Sequence, residues 1–183
     1  MDKNDRRKLL RDRTNHLHKQ LDETVGELHT SNEYFRYLKG MFLFRQPTEK
    51  QVLTSAETEK FKTFVPTFIS GEIEYDLRSL NLFPITTPDH DTALQPLDLS
   101  QLLGVLYVLE GSSLGAKLLI KRAEKLGFGV NNGASHLTRQ TSVSGNWKAL
   151  CTLLEQTEAV DEEAMTSAAL TTFVRAMDAF EKV

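Results

Sequence analysis

Glycine is the least favourable ordinary residue for a helix interior. The segment Leu99 to Leu126, LSQLLGVLYVLEGSSLGAKLLIKRAEKL, nevertheless carries Gly104, Gly111 and Gly115 inside what otherwise reads as one long helix. Each glycine costs about 1 kcal/mol of helix stability relative to alanine. Steps of seven and four residues return to nearly the same direction, so the three share one face. A face without side chains admits close approach to the backbone. Either another helix packs there, or a flat ligand lies across a bend near Gly111 to Gly115. The spacing alone leaves both readings open.

Nearly every other segment also has helical period. Leu10, Leu17, Leu21 and Leu28 form the stripe of a first helix, with Thr14, His18 and Val25 beside it. Thr30 with Glu33 is a capping box for a second helix carrying Tyr34, Phe35, Tyr37, Leu38, Met41 and Phe42, which Pro47 is expected to stop. A third is expected over Ala56–Phe68, disturbed by Pro66, and a short fourth over Glu72–Leu80. Pro84–Pro96 reads as a loop. Asp98 with Gln101 caps the glycine-bearing helix, which Gly127 and Gly129 terminate. Val130–Gly145 reads as a polar loop able to fold over a site opening, and Trp147–Glu158 and Glu162–Glu181 are the last helices. No alternating pattern long enough for a sheet appears. The expected fold is all-α, with six or seven helices in a single domain over residues 1–183.

Charge and cysteine usage narrow the function. With 22 basic against 25 acidic residues and no basic block, the chain offers no track for nucleic-acid phosphates. The lone Cys151, among Leu150, Leu153 and Leu154, reads as a buried small hydrophobe and fits a reducing compartment. The charged start, MDKNDRRKLLRDRTNHLHKQ, lacks the apolar run of a signal peptide. No stretch reads as membrane-spanning, so a cytoplasmic location without membrane or nucleic-acid partners is expected.

Five histidines are candidates for chemistry. His90 and His136 fall in expected loops and should be exposed. His16 and His18 point about 200° apart on a helix and cannot share an ion. His29 lies too far along to join them. His18 has Thr14 and Asp22 one turn away on either side. A carboxylate at that spacing can hold one ring nitrogen and leave the other free for a metal. The same acid could equally satisfy a half-buried histidine with no further role. Zinc and di-iron patterns are missing, and GSSLG fits neither a nucleophile elbow nor a dinucleotide fingerprint.

Together the two features resemble the heme oxygenase family, especially its short bacterial members that make biliverdin. LRDRTNHLH (Leu10–His18) is similar to the family's proximal segment, and LYVLEGSSLG (Leu106–Gly115) to its distal helix. YFRYLKGMFLFRQPTE, DLRSLNLFP and the aromatic last helix extend the likeness over nearly the whole chain. The resemblance implies heme b as substrate and cofactor, with His18 as axial iron ligand and Asp22 as its acid partner. It implies Gly111 and Gly115 on the distal side, Ser112 supporting a distal hydrogen-bond network, and Arg11 near a propionate. Arg175 in the last helix is a further candidate for a propionate. Ala116 departs from the pattern, standing where many members have glycine, and should narrow the distal side. The implied reaction cleaves heme with dioxygen to biliverdin, carbon monoxide and iron. No nicotinamide or flavin motif is present, so electrons are expected from an external ferredoxin or flavoprotein reductase. A heme carrier on the same scaffold, and an interaction protein without cofactor, are the competing readings.

Overall fold

The computed structural model describes residues 6–55, 61, 64–82, 94–143 and 145–183. Seven helices follow one another: α1 (Arg6–Val25), α2 (Ser31–Thr54), α3 (Ser70–Ser79), α4 (Leu99–Lys125), α5 (Ser135–Ser142), α6 (Asn146–Gln156) and α7 (Glu162–Glu181). Among the described residues there is no strand, only isolated bridges around Gly129. The all-α expectation with six or seven helices is met.

Local chemistry sets the strongest boundaries. Thr30 and Glu33 form the expected capping box of α2, and Asp98 and Gln101 that of α4. Burying nothing of Glu33, the cap holds its carboxyl below the ordinary range through the backbone N–H groups of Thr30 and His29. Helix α4 ends in a Schellman motif: Phe128 N–H donates to the Ala123 carbonyl at 2.9 Å and Gly127 N–H to that of Glu124 at 3.0 Å. That turn requires φ +87° at Gly127, which glycine adopts without strain.

Elsewhere tertiary contacts override local signals. Pro47 lies inside α2 rather than ending it. An interior proline costs about 3 kcal/mol, but the turn beyond it buries Thr48, Glu49, Gln51 and Val52. Leu28 is not on the first helix: α1 ends at Val25, Gly26 and Leu28 take positive φ, and Leu28 is buried in a separate core cluster. The third helix expected over Ala56–Phe68 falls partly outside the described residues, and Phe64–Phe68 is not helical. There the Thr67 N–H donates to Glu110 Oε1 at 2.5 Å and its carbonyl accepts from Arg45 at 2.8 Å, so buried side chains replace the helical ladder. His90 also lies outside the described residues.

The polar loop expected over Val130–Gly145 contains α5. Its N-terminal amides are capped from another element: Asp76 of α3 accepts from Ser135 N–H at 2.9 Å and His136 N–H at 3.0 Å. Asp76 also meets His136 Nδ1 at 2.7 Å, so His136 is fully buried rather than exposed.

Two apolar clusters share the interior. One gathers Leu10, Leu102, Leu103, Leu106, Leu109, Leu150, Met165 and Phe173; the other gathers Tyr34, Leu38, Ile73, Leu77, Leu137 and Phe180. By length and composition α4 is apolar enough to cross a membrane, with a mean hydropathy of 1.4 over its best stretch. This corrects the expectation that no segment reaches that length, although Leu102, Leu103, Leu106 and Leu109 spend its apolar face on the core. Cys151 is buried as expected, and burial pushes its thiol up.

Candidate functional site

Helix α1 packs on α7 and α6, while α4 packs on α7, α5 and α6. The space left between α1 and α4, with α7 as floor, is a cavity of about 700 Å³. That lies within the range of about 300–1,000 Å³ usual for small-molecule sites. A salt bridge spans the slot: Arg122 of α4 pairs with Glu27 of the α1–α2 link at 2.6 Å.

The α1 wall presents Arg11, Thr14, Asn15, His18, Leu21 and Asp22. The His18 side chain is 60% exposed, and its Nδ1 lies 3.1 Å from Asp22 Oδ2. With the Nδ1 proton donated to that carboxylate, Nε2 carries the lone pair. The i, i+4 spacing of a helix makes this pairing local, so the sequence could show it. Arg11 stands at the rim, with Nε 3.3 Å from Asp12. Phe173 of α7 meets the His18 ring edge-on at a centroid distance of 6.0 Å.

The α4 wall divides the three glycines by role. A side chain at Gly104 would collide with the α7 backbone, so Gly104 serves helix packing. Gly111 and Gly115 line the cavity. A Cβ at Gly111 would rest 3.5 Å from the Trp147 ring, whereas one at Gly115 would meet nothing within 4 Å. The helix-packing reading of the glycine face thus holds at Gly104, while Gly111 and Gly115 front an open cavity further along the same helix. Trp147 gains a role the sequence did not show, its ring tilted against Tyr107 at a centroid distance of 5.5 Å and backing Gly111.

Below the glycines, a buried polar knot fixes this stretch of α4. Arg45 donates from Nε to Glu49 at 2.7 Å and from a terminal nitrogen to the Leu109 carbonyl at 3.1 Å. Glu49 also accepts from the N–H groups of Ile69 and Ser70, and Glu110 from Thr67. The stretch of α4 immediately before Gly111 is thus tied to α2 and to the segment before α3.

Ser112 also lines the cavity, with its hydroxyl donating to the Leu109 carbonyl at 2.7 Å and accepting from Gln140 Nε2 at 2.9 Å. Gln140 belongs to α5, which carried no legible sequence signal. Met41, Phe44, Tyr37, Ala176 and Phe180 complete the apolar walls.

Two expected site features lie elsewhere. Arg175 is not on the cavity: it opens on a smaller groove between α2, α4 and α7, where it donates to Gln51 Oε1 at 3.0 Å. Adjacent to Ala176 in sequence and so rotated about 100° around α7, it faces away from the cavity, and desolvation there lowers its pKa. Ala116 does not narrow the slot. It is buried in the second apolar cluster, rotated away from Gly111 and Gly115.

No family model matches the chain. Over 154 residues it is 30% identical to Heme oxygenase PigA of Pseudomonas aeruginosa, an alignment spanning 82% of this chain and 77% of that protein. The chain belongs to the heme oxygenase family. Its fold is likewise that of a heme oxygenase from Neisseria meningitidis, solved with NO and CO bound: the TM-score is 0.80 at 22% identity, over 97% of this chain and 90% of that one.

Proposed function

We propose that this heme oxygenase binds heme in the α1–α4 slot with His18 as axial ligand and cleaves it, with dioxygen and external electrons, to biliverdin, carbon monoxide and ferrous iron. One observation carries the reading: an exposed histidine, held at Nδ1 by Asp22, shares one apolar cavity with the bare backbone of Gly115, which among the described residues has no atom within 4 Å of where a Cβ would stand.

The residues fit the group. A flat macrocycle needs apolar walls, and Met41, Phe44, Phe173, Ala176 and Phe180 supply them. It also needs a face free of side chains, which Gly115 leaves open. Among the described residues no group of three or more His, Cys, Asp or Glu stands ready to hold a bare ion. A metal brought within its own ring needs only the one imidazole that His18 offers. Arg11 at the rim suits a substrate carboxylate.

Bound heme supplies the iron at which dioxygen is activated and is itself the ring that opens. The chain's own residues do the rest. Asp22 would fix the His18 tautomer and leave Nε2 free for the metal. Gly111 and Gly115 would keep bulk off the α4 side of the slot and leave room there for a small molecule beside the bound ring. The apolar floor excludes water from most of the slot, and Ser112 and Gln140 are the polar side chains that α4 and α5 offer on that face. Electrons enter from a ferredoxin or flavoprotein reductase.

Turnover tests the reading. Hemin-loaded protein given oxygen and reduced ferredoxin should lose its heme absorption and yield one biliverdin and one carbon monoxide per heme. Intact heme after repeated reduction would reject it in favour of a carrier. Reduction of the bound heme by nicotinamide cofactor with the purified chain alone would reject the external donor.

A further inference from the structure

The resemblance placed Ser112 as the polar group facing the substrate, but its hydrogen bonds leave it little to give. A serine hydroxyl has one proton and two lone pairs. The proton goes to the Leu109 carbonyl at 2.7 Å, and Gln140 Nε2 donates to the oxygen at 2.9 Å. Ser112 can accept one more hydrogen bond and donate none.

Gln140 is differently placed. It is 5% exposed, lines the cavity, and stands on the same face of α5 as His136, which Asp76 and Tyr37 lock in place. Its bond to Ser112 uses one N–H, and an amide has a second N–H and a carbonyl oxygen with two lone pairs. Among the described residues neither the second N–H nor the carbonyl oxygen of Gln140 has a partner, and its side chain lines the cavity. A buried amide with an N–H to spare is thus delivered to the cavity beside Ser112 by a neighbouring helix.

We propose that Gln140 is the residue that hydrogen-bonds a small ligand or water held on the glycine side of the slot, and that Ser112 is a positioning residue that anchors the Gln140 amide. The assignment rests on reading the slot as a heme site. In this arrangement the Ser112 hydroxyl and Leu109 carbonyl form a fixed post. The post sets the amide plane, and α5 sets its depth.

Cyanide titration of the hemin-loaded ferric protein, followed by absorption, tests this. Wild type, Gln140→Leu, Gln140→Glu and Ser112→Ala are compared, with hemin affinity and thermal midpoint measured for each. Gln140→Leu should bind hemin normally but weaken cyanide about tenfold, the loss expected for one hydrogen bond to a charged ligand. Gln140→Glu keeps the size but exchanges the N–H for an acceptor, and should lose at least as much. Ser112→Ala leaves the amide in place without its anchor and should lose about twofold to threefold. A greater loss in Ser112→Ala than in either Gln140 variant would overturn the assignment. So would cyanide affinity unchanged in both Gln140 variants while hemin still binds. Failure of the wild type to bind hemin at all would instead overturn the heme-site reading, and the role of Gln140 with it.

Discussion

Alanine at Gly104 and alanine at Gly115 should move stability in opposite directions, although both substitutions sit on the same face of the same helix. In an exposed helix interior, glycine to alanine gains about 1 kcal/mol from backbone entropy and propensity. At Gly115 nothing opposes this gain, because the new methyl would meet no atom within 4 Å. At Gly104 it would stand 2.0 Å from the Met165 carbonyl oxygen and 3.1 Å from the Ala169 nitrogen. These are backbone atoms of α7 and cannot rotate away, so the two helices must part by roughly 1 Å along their closest contact. Overpacking of this kind costs about 3 kcal/mol, leaving a net loss of about 2 kcal/mol after the propensity gain. For a chain of this size each kcal/mol shifts the thermal midpoint by about 2–4 °C. Gly115→Ala should therefore melt about 2–4 °C higher than wild type and Gly104→Ala about 4–8 °C lower. Differential scanning calorimetry on ligand-free protein decides it. Equal shifts of the same sign would refute the division of the glycine face into a packing turn and a cavity turn.

Three further outcomes follow from the same geometry. Gly111→Leu should keep the fold but displace Trp147, 3.5 Å from where its Cβ would lie, and fill the slot, so that hemin affinity falls at least about tenfold; unchanged affinity by absorption titration would remove Gly111 from the site. Arg45→Met leaves Glu49 buried without its cation and should cost about 3–5 kcal/mol in urea unfolding; a loss near zero would show that the knot under α4 carries no stability. Tyr34 and Tyr37 are both raised above the ordinary tyrosine range, chiefly by burial, so the folded chain keeps two protons that the unfolded chain loses above a pH of about 10. Stability is then fully present below that pH and falls as pH rises through it. Urea midpoints should drop between about pH 9 and about pH 11, and less steeply in a Tyr34→Phe, Tyr37→Phe variant; equal slopes would contradict the cause.

What the sequence could show, and what it could not, divides along contact range. The caps at Thr30 and Asp98 and the end at Gly127 depend on residues within one turn, and each fell where expected. The His18–Asp22 pair and the glycine face are i, i+4 and heptad-like relations and were legible for the same reason. Helix α5 was not, because its N-terminal amides are satisfied by Asp76, nearly sixty residues earlier, and its own composition is polar. Pro47 misled because its cost is local while the compensation lies in the buried turn beyond it. Arg175 misled because its helix was clear but the direction it faces is set by how α7 rolls against α2 and α4. Gln140 and the Arg45 knot depend on both kinds of distant contact and had no signal a single sequence could carry.

The most direct measurement is an anaerobic hemin titration of wild type and His18→Ala, read by absorption and by electron paramagnetic resonance of the ferric form. Saturable one-to-one binding in wild type, with the axial nitrogen signature lost and affinity reduced in His18→Ala at an unchanged thermal midpoint, is the predicted result. Identical spectra and affinities in the two proteins would contradict the claim that His18 holds the iron in this slot.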